Sequence, residues 1–284
     1  MKALVIGFGK MGMLHTSILN TVIQPNEIFV IEPISLLRNF ISKAIPRINV
    51  FSNINDIDLK SIDLAIITSP TGSHYEIISK IIEYDVNIFV EKPIVSSLEE
   101  CNSLLQLIKK INYQKVIMVG NCYRFSDSFE QAKKIINEIN LNIKSFHASF
   151  FSSDVLRMNK GWRYKEGKIG SGVILDLGIH VIDLVRYIFG NPVVLESEMS
   201  SIFSSGVDDQ FTSSFKYDSF LGEINCSWSN ESVRKPTLNI EIFFDDSTNL
   251  LINEDQIIHR REDKKIIKIY YSTDNKSSVP FDLA

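Results

Sequence analysis

Asp176, His180 and Asp183 stand at i, i+4 and i+7 in the run Val173-Ile174-Leu175-Asp176-Leu177-Gly178-Ile179-His180-Val181-Ile182-Asp183-Leu184, whose other side chains are apolar or absent. On a helix this spacing lines all three along one stripe. A helix apolar on most sides is largely buried, and burying an ionisable group costs on the order of several kcal/mol unless it is paired. A histidine can take a proton from an alcohol near neutral pH, and a carboxylate one turn away can orient it and stabilise its charged form. The same stripe also suits a purely structural role, and Asp183 fits that role better than a chemical one. No further ligand lies at metal-binding spacing, so no metal site is indicated.

A second set lies at the start of the chain. Gly7-Phe8-Gly9-Lys10-Met11-Gly12 follows the apolar run Ala3–Ile6, and Glu32 closes the next apolar run. This is the spacing of a dinucleotide-binding turn. Gly7 allows the tight turn, Gly9 lets backbone approach a pyrophosphate, and Gly12 lets the helix pack closely. The helix N-terminus offers free N–H groups to phosphate. Glu32 can accept hydrogen bonds from ribose hydroxyls and would repel a 2′-phosphate, which favours NAD; Ser35 and Arg38 lie near enough in sequence to keep NADP open.

Ligands of an open α/β sheet bind beyond the carboxyl ends of its strands. The residues there are Ser69-Pro70-Thr71, Glu91-Lys92-Pro93 and Asn121-Cys122-Tyr123. Lys92 precedes a proline, which restricts its backbone, and a held ammonium can polarise a carbonyl or carbinol oxygen; the plainer alternative is a solvated surface lysine. His74, heading the helix after the fourth strand, can reach a nicotinamide-side ribose. Trp162-Arg163 can offer an aromatic face and a guanidinium to a cofactor, or simply pack. His15, His147 and His259 read as packing or surface residues.

These groups need elements to position them. Through residue 120, β-rich runs (Ala3–Ile6, Glu27–Ile31, Asn49–Phe51, Asp63–Thr68, Asn87–Val90, Lys115–Val119) alternate with helical stretches, the signature of βαβ units and a doubly wound parallel sheet. Ser73 with Glu76 and Ser97 with Glu100 fit capping boxes. Beyond Asn121, a helix near 128–138 and an apolar helix over 173–189 sit among β segments, at 143–151, 193–203, 210–217, 222–228, 238–244, 249–252 and 265–271, which suggests an α+β domain with a mainly antiparallel sheet. The boundary divides the chain into residues 1–121 and 122–284.

The 284 residues suffice for two modest domains. A net charge of -4 and a pI near 5.8 give no reason to expect nucleic acid or an anionic membrane as partner. No apolar run approaches the ~18 residues of a membrane span, and the expectation is a cytoplasmic protein. Cys101, Cys122 and Cys226 are widely spaced and read as buried thiols.

Three motifs, G-F-G-K-M-G (Gly7 to Gly12), E-K-P (Glu91 to Pro93) and G-S-G-V-I-L-D-L-G-I-H-V-I-D (Gly170 to Asp183), together resemble the glucose-fructose oxidoreductase / inositol dehydrogenase / MocA family. The resemblance implies a Rossmann N-terminal domain and an α+β C-terminal domain whose open sheet builds a homo-oligomer, dimer or tetramer. It implies bound NAD(P) and hydride transfer on a polyol, sugar, cyclitol or nucleotide sugar. By position, Lys92 matches the lysine near nicotinamide and substrate oxygen, His180 the proton-transfer residue and Asp176 its companion; Trp162-Arg163 resembles a cofactor-contacting pair, and Tyr123-Arg124 falls where substrate contacts lie. Two alternatives are NAD-dependent sugar cleavage or rearrangement without net redox, and a regulatory protein that binds NAD(P) without turnover.

Overall fold

The computed structural model describes residues 1–153, 172–204 and 206–273. Two compact units are present, Met1–Gly120 and Asn121–Ala284. Gly170 and Ser171, and the Trp162-Arg163 pair, lie outside the described residues.

The first unit alternates β1 (Ala3–Ile6), α1 (Lys10–Val22), β2 (Ile28–Ile31), α2 (Ser35–Ala44), β3 (Asn49–Phe51), β4 (Leu64–Ile67), α3 (His74–Ile81), β5 (Asn87–Val90), α4 (Leu98–Lys110) and β6 (Ile117–Val119). All six strands are parallel, in the order β3-β2-β1-β4-β5-β6. Both sheet faces are covered, which is why the strands read as unbroken apolar runs. In β1, Leu4 and Ile6 enter one core while Ala3 and Val5 enter the other. The order reverses between β1 and β4, and the carboxyl ends at such a switch point form a crevice.

The second unit comprises α5 (Asp127–Glu138), β7 (Ile143–Phe151), a π-helical turn (Ile174–Gly178) leading into α6 (Ile179–Phe189), then β8 (Val193–Ser200), β9 (Gln210–Lys216), β10 (Leu221–Ser227), β11 (Thr237–Phe244), β12 (Thr248–Asn253), β13 (Gln256–Arg261) and β14 (Ile266–Ser272). Its open sheet runs β14-β13-β12-β11-β7-β10-β9-β8. Every pair in it is antiparallel except β7 with β10. Phe146, Ala148 and Phe150 of β7 join Phe129 and Ala132 of α5 and Val181, Leu184 and Val185 of α6 in one core. Gly222 of β10 is glycine because a Cβ there would lie 2.0 Å from the Phe146 ring.

Several expectations are corrected. Helix α2 was expected only as an unbounded helical stretch between two strands, strand β13 was not foreseen, and the 173–189 helix opens with a π turn instead of running as α-helix throughout. Strand β8 stops at Ser200 because the N–H groups of Ile202, Phe203 and Ser204 go to the buried Asp209 carboxylate, at 3.0, 2.6 and 2.7 Å. Ser73 makes no cap; its hydroxyl donates to Pro70 O. Ser97 does cap α4, but the Glu100 carboxylate reaches Ser96 instead of closing the box on Ser97. Of the three cysteines only Cys226 is buried, its thiol pushed up to about 12 by burial, while Cys122 is exposed.

Candidate functional site

The glycine turn is shaped by close approaches. Gly7 adopts φ +92°, donates its N–H to Ile31 O at 2.9 Å, and would bring a Cβ within 2.9 Å of the Ser69 backbone. A Cβ on Gly12 would lie 2.0 Å from Gly7 O, so only glycine lets α1 start this close to β1. Thr68, a residue the sequence did not flag, ties the turn down by donating its hydroxyl to Gly7 O at 2.7 Å. Around Gly9 the situation is opposite: among the described residues, its chain neighbours aside, no atom lies within 4 Å of where a Cβ would stand. Gly9 caps α1 without a side-chain partner, so the first N–H groups, on Lys10 and Met11 among others, present the positive end of the helix to open space. A pyrophosphate fits this cradle.

Glu32 follows β2 and is 5% exposed. Its two carboxylate oxygens accept from Phe8 N–H at 3.1 Å and Ile34 N–H at 2.9 Å. Each retains acceptor capacity, because a carboxylate has about four lone-pair sites. Phe8 itself packs into the core. Arg38 reaches back to the carbonyls of Glu32 and Pro33, at 2.9 and 2.7 Å.

After β4, Ser69 shares a hydrogen bond with Ser73 at 2.7 Å, and Pro70 O accepts from Ser73 N–H. His74 is 1% exposed, with one ring nitrogen 2.8 Å from Ser69 O and the other 3.0 Å from Pro93 O. It therefore clips the two strand-end loops together, and neither nitrogen points outward. After β5 comes Glu91-Lys92-Pro93, with a cis peptide bond between Lys92 and Pro93.

In the second unit, the π turn is anchored from outside its own helix. Asp208 accepts Val173 N–H on its carbonyl and Ile174 N–H on its carboxylate, both at 2.9 Å. Gly172, at φ +100°, must be glycine, because a Cβ would lie 2.0 Å from the Asp208 carboxylate. The turn carries Asp176, and His180 follows on α6. π turns are rare and recur at functional sites.

His180 lies edge-on to Tyr123, ring centroids 5.0 Å apart, and tilted against Phe150 at 6.1 Å. Burial, then the hydrogen-bonded Glu254 carboxylate, pushes the Tyr123 phenol well above its usual range, with Cys122 and Asp176 adding to the effect. Tyr123 is thus neutral at any working pH, and its ring also meets Phe129 and Phe150 edge-on. Asp183 is bound twice by Arg124, through Nε at 2.6 Å and through Nη2, and once by Asn121 Nδ2 at 2.8 Å. Asp183 was expected to cap or bond neighbouring backbone; its partners are instead the side chains of Arg124 and Asn121. Arg124, expected at the substrate, is occupied by that ion pair. Among the described residues no group of histidine, cysteine and acidic side chains could hold a metal ion, and no helix is long and apolar enough to cross a membrane.

Residues 1–121 match the family described as oxidoreductases with an NAD-binding Rossmann fold, and residues 129–248 match the GFO/IDH/MocA C-terminal domain. Among characterised proteins, the NADP(+)-dependent scyllo-inositol 2-dehydrogenase IolW of Bacillus subtilis is 30% identical over 134 residues, covering 46% of this chain and 36% of that protein. Levoglucosan dehydrogenase of Pseudarthrobacter phenanthrenivorans is 31% identical over 153 residues, covering 53% and 38%. The matches thus span less than half the length of these relatives. Levoglucosan dehydrogenase solved in complex with NADH and levoglucosan superposes with a TM-score of 0.81 at 20% identity, covering 95% of this chain and 80% of that one.

Proposed function

Because the chain belongs to the GFO/IDH/MocA oxidoreductases with an NAD-binding Rossmann fold, we propose that it is an NAD(P)-dependent dehydrogenase or reductase acting on the CH–OH group of a sugar, cyclitol or nucleotide sugar. The observation that carries this reading is the contrast within one turn: Gly7 and Gly12 have no room for a side chain, whereas Gly9, at a helix N-terminus with no side-chain cap, meets no crowding atom among the described residues. The sugar and cyclitol dehydrogenases among its relatives support the substrate class.

A bound nicotinamide dinucleotide supplies the hydride acceptor or donor. In this reading residues 1–121 hold it: the backbone of the Gly7–Gly12 turn takes the pyrophosphate, and the spare lone pairs of Glu32 take the ribose hydroxyls, which favours NAD over NADP. Ser69, Pro70, His74 and Glu91 shape the loops around it, His74 through its two carbonyl contacts. Lys92 stabilises the reacting oxygen by its ammonium. Residues 122–284 supply the proton step and the substrate contacts. His180 takes the hydroxyl proton, Asp176 orients the imidazole and stabilises its charge, and Tyr123 lines the substrate's place beside it. Arg124 acts there by fixing Asp183 on α6.

The test is a panel of polyols, aldoses and nucleotide sugars with NAD and NADP, read by absorbance of the reduced nicotinamide. With the best substrate, His180→Ala is expected to lower kcat by roughly 10²- to 10⁴-fold while NADH affinity is retained. An equal loss of NADH binding would make His180 a structural residue. Consumption of a glycoside without net NADH would move the assignment to the cleavage chemistry.

A further inference from the structure

Helix α1 does more than present the glycine turn. His15, on its second turn, donates from Nε2 to Glu91 Oε1 at 3.0 Å. The same ring lies against Phe89, centroids 4.9 Å apart at 58°. Phe89 and Glu91 are two positions apart at the carboxyl end of β5. The strand's pairing continues past its formal end, since Glu91 N–H donates to Ile67 O and Gly120 N–H to Val90 O, so these two side chains project to one face. Both meet one imidazole. The His15 and Glu91 side chains are only 19% and 15% exposed. On the far side Gly120 directly follows β6, and a Cβ there would stand 3.0 Å from the Phe89 ring and 3.3 Å from Glu91 Oε2. The carboxylate is therefore gripped by an imidazole from α1 and given clearance by a glycine beyond β6.

We infer that His15 is a positioning residue: it locks Glu91 onto α1 and so fixes the backbone from which the next residue, Lys92, extends its ammonium. The inference rests on the role proposed above for Lys92. A carboxylate this far from solvent that loses its donor must find another partner or leave its place. Because α1 begins at the phosphate cradle, the His15–Glu91 bond also joins the helix that would hold the dinucleotide to the loop that would meet the substrate. The coupling runs through two side chains whose sequence positions are 76 apart.

The experiment compares His15→Leu, which removes the donor, with His15→Gln, whose side-chain amide can still donate to Glu91. NADH affinity is read by fluorescence titration, kcat and KM with the best alcohol of the panel, and the Lys92 amine by its ¹³C-methyl resonance after reductive methylation, assigned by its absence in Lys92→Arg. His15→Leu is expected to lower kcat about tenfold, to shift the Lys92 resonance and its titration, and to leave KM and the NADH dissociation constant within about threefold. His15→Gln is expected to return kcat to within about threefold of the parent and to restore the resonance. If His15→Leu does not fold, His15→Asn, too short to reach the carboxylate, takes its place. Parent kcat and an unmoved Lys92 signal in the donor-less variant overturn the inference, as does an equal loss in both variants or a loss confined to NADH binding. If the parent turns over no alcohol, the functional reading fails by itself, and the Lys92 resonance still decides whether His15 sets that amine's surroundings.

Discussion

Arg124 and Asp183 brace two elements of the second unit, the turn at residues 122–125 and helix α6. Arg124 sits on the 3₁₀ turn Cys122–Phe125, stacks over Tyr187 at 5.5 Å, and forks onto Asp183. The Asp183 side chain is 11% exposed and that of Arg124 40% exposed. Removing the guanidinium leaves a mostly buried carboxylate to the Asn121 amide, but the exposure of the arginine moderates the loss. Arg124→Met is accordingly expected to lower the unfolding free energy by about 1–2 kcal/mol, measured by urea denaturation. A variant as stable as the parent, with a raised KM, would return Arg124 to the substrate. The glycine spacing and Glu32 were legible because their demands are local: a turn, a helix start, a strand end. His15 and Thr68 were not, because His15 acts on Glu91 and Thr68 on Gly7, partners far away in sequence that only the folded sheet brings close.

At the level of elements, Asp208 and Asp209 are adjacent residues with separate tasks. Asp208 seats the π turn that carries Asp176, and Asp209 ends β8 by gathering the N–H groups of residues 202–204. Burial alone would raise the Asp209 pKa; the N–H groups of Ile202, Phe203 and Ser204 and the Ser204 hydroxyl outweigh it and hold the carboxyl below its ordinary value. A carboxyl depressed in the folded state contributes stability that is present above its unfolded pKa, about 3.9, and is lost as pH falls through the folded value. Asp209→Asn is expected to cost roughly 1.5–3 kcal/mol at pH 7 and nearly nothing once the parent's carboxyl is protonated in its folded and unfolded states alike. Chemical denaturation from pH 7 down to about pH 2, below the ordinary carboxyl range, measures this; a difference that does not shrink with acid would assign the loss to packing. The strands of the first unit were readable because burial on both faces leaves an uninterrupted apolar run. The bounds of helix α2 were not, since only Ile41 of its residues is buried. Strand β13 hid behind His259, Arg260 and Arg261, although Arg260 is neutralised in place by Glu241 at 2.6 Å. The π turn has no compositional marker: its five residues could equally continue an α-helix.

For the whole molecule, the open sheet of the second unit leaves apolar surface unspent. Strand β8 exposes Val193, Val194, Leu195 and Met199, and the turn after it exposes Ile202 and Phe203. Apolar surface gathered along an edge strand marks either an interface or an aggregation hazard. The parent chain is expected to run as a dimer or tetramer by light scattering, and Leu195→Lys with Met199→Glu to shift it toward monomer without loss of secondary structure. A parent that is monomeric at micromolar concentration would rule out this face as the contact. The exception to the sheet's antiparallel order has a different consequence. Strands β7 and β10 lie side by side and parallel, yet α6, β8 and β9 come between them along the chain. During synthesis the first unit has all its strands once Gly120 has emerged from the ribosome, whereas the middle of the second sheet cannot close until Ser227 is out. The helix bearing His180 is therefore translated before the strand that completes the sheet it packs on, and in the nascent chain the second unit is finished after the first.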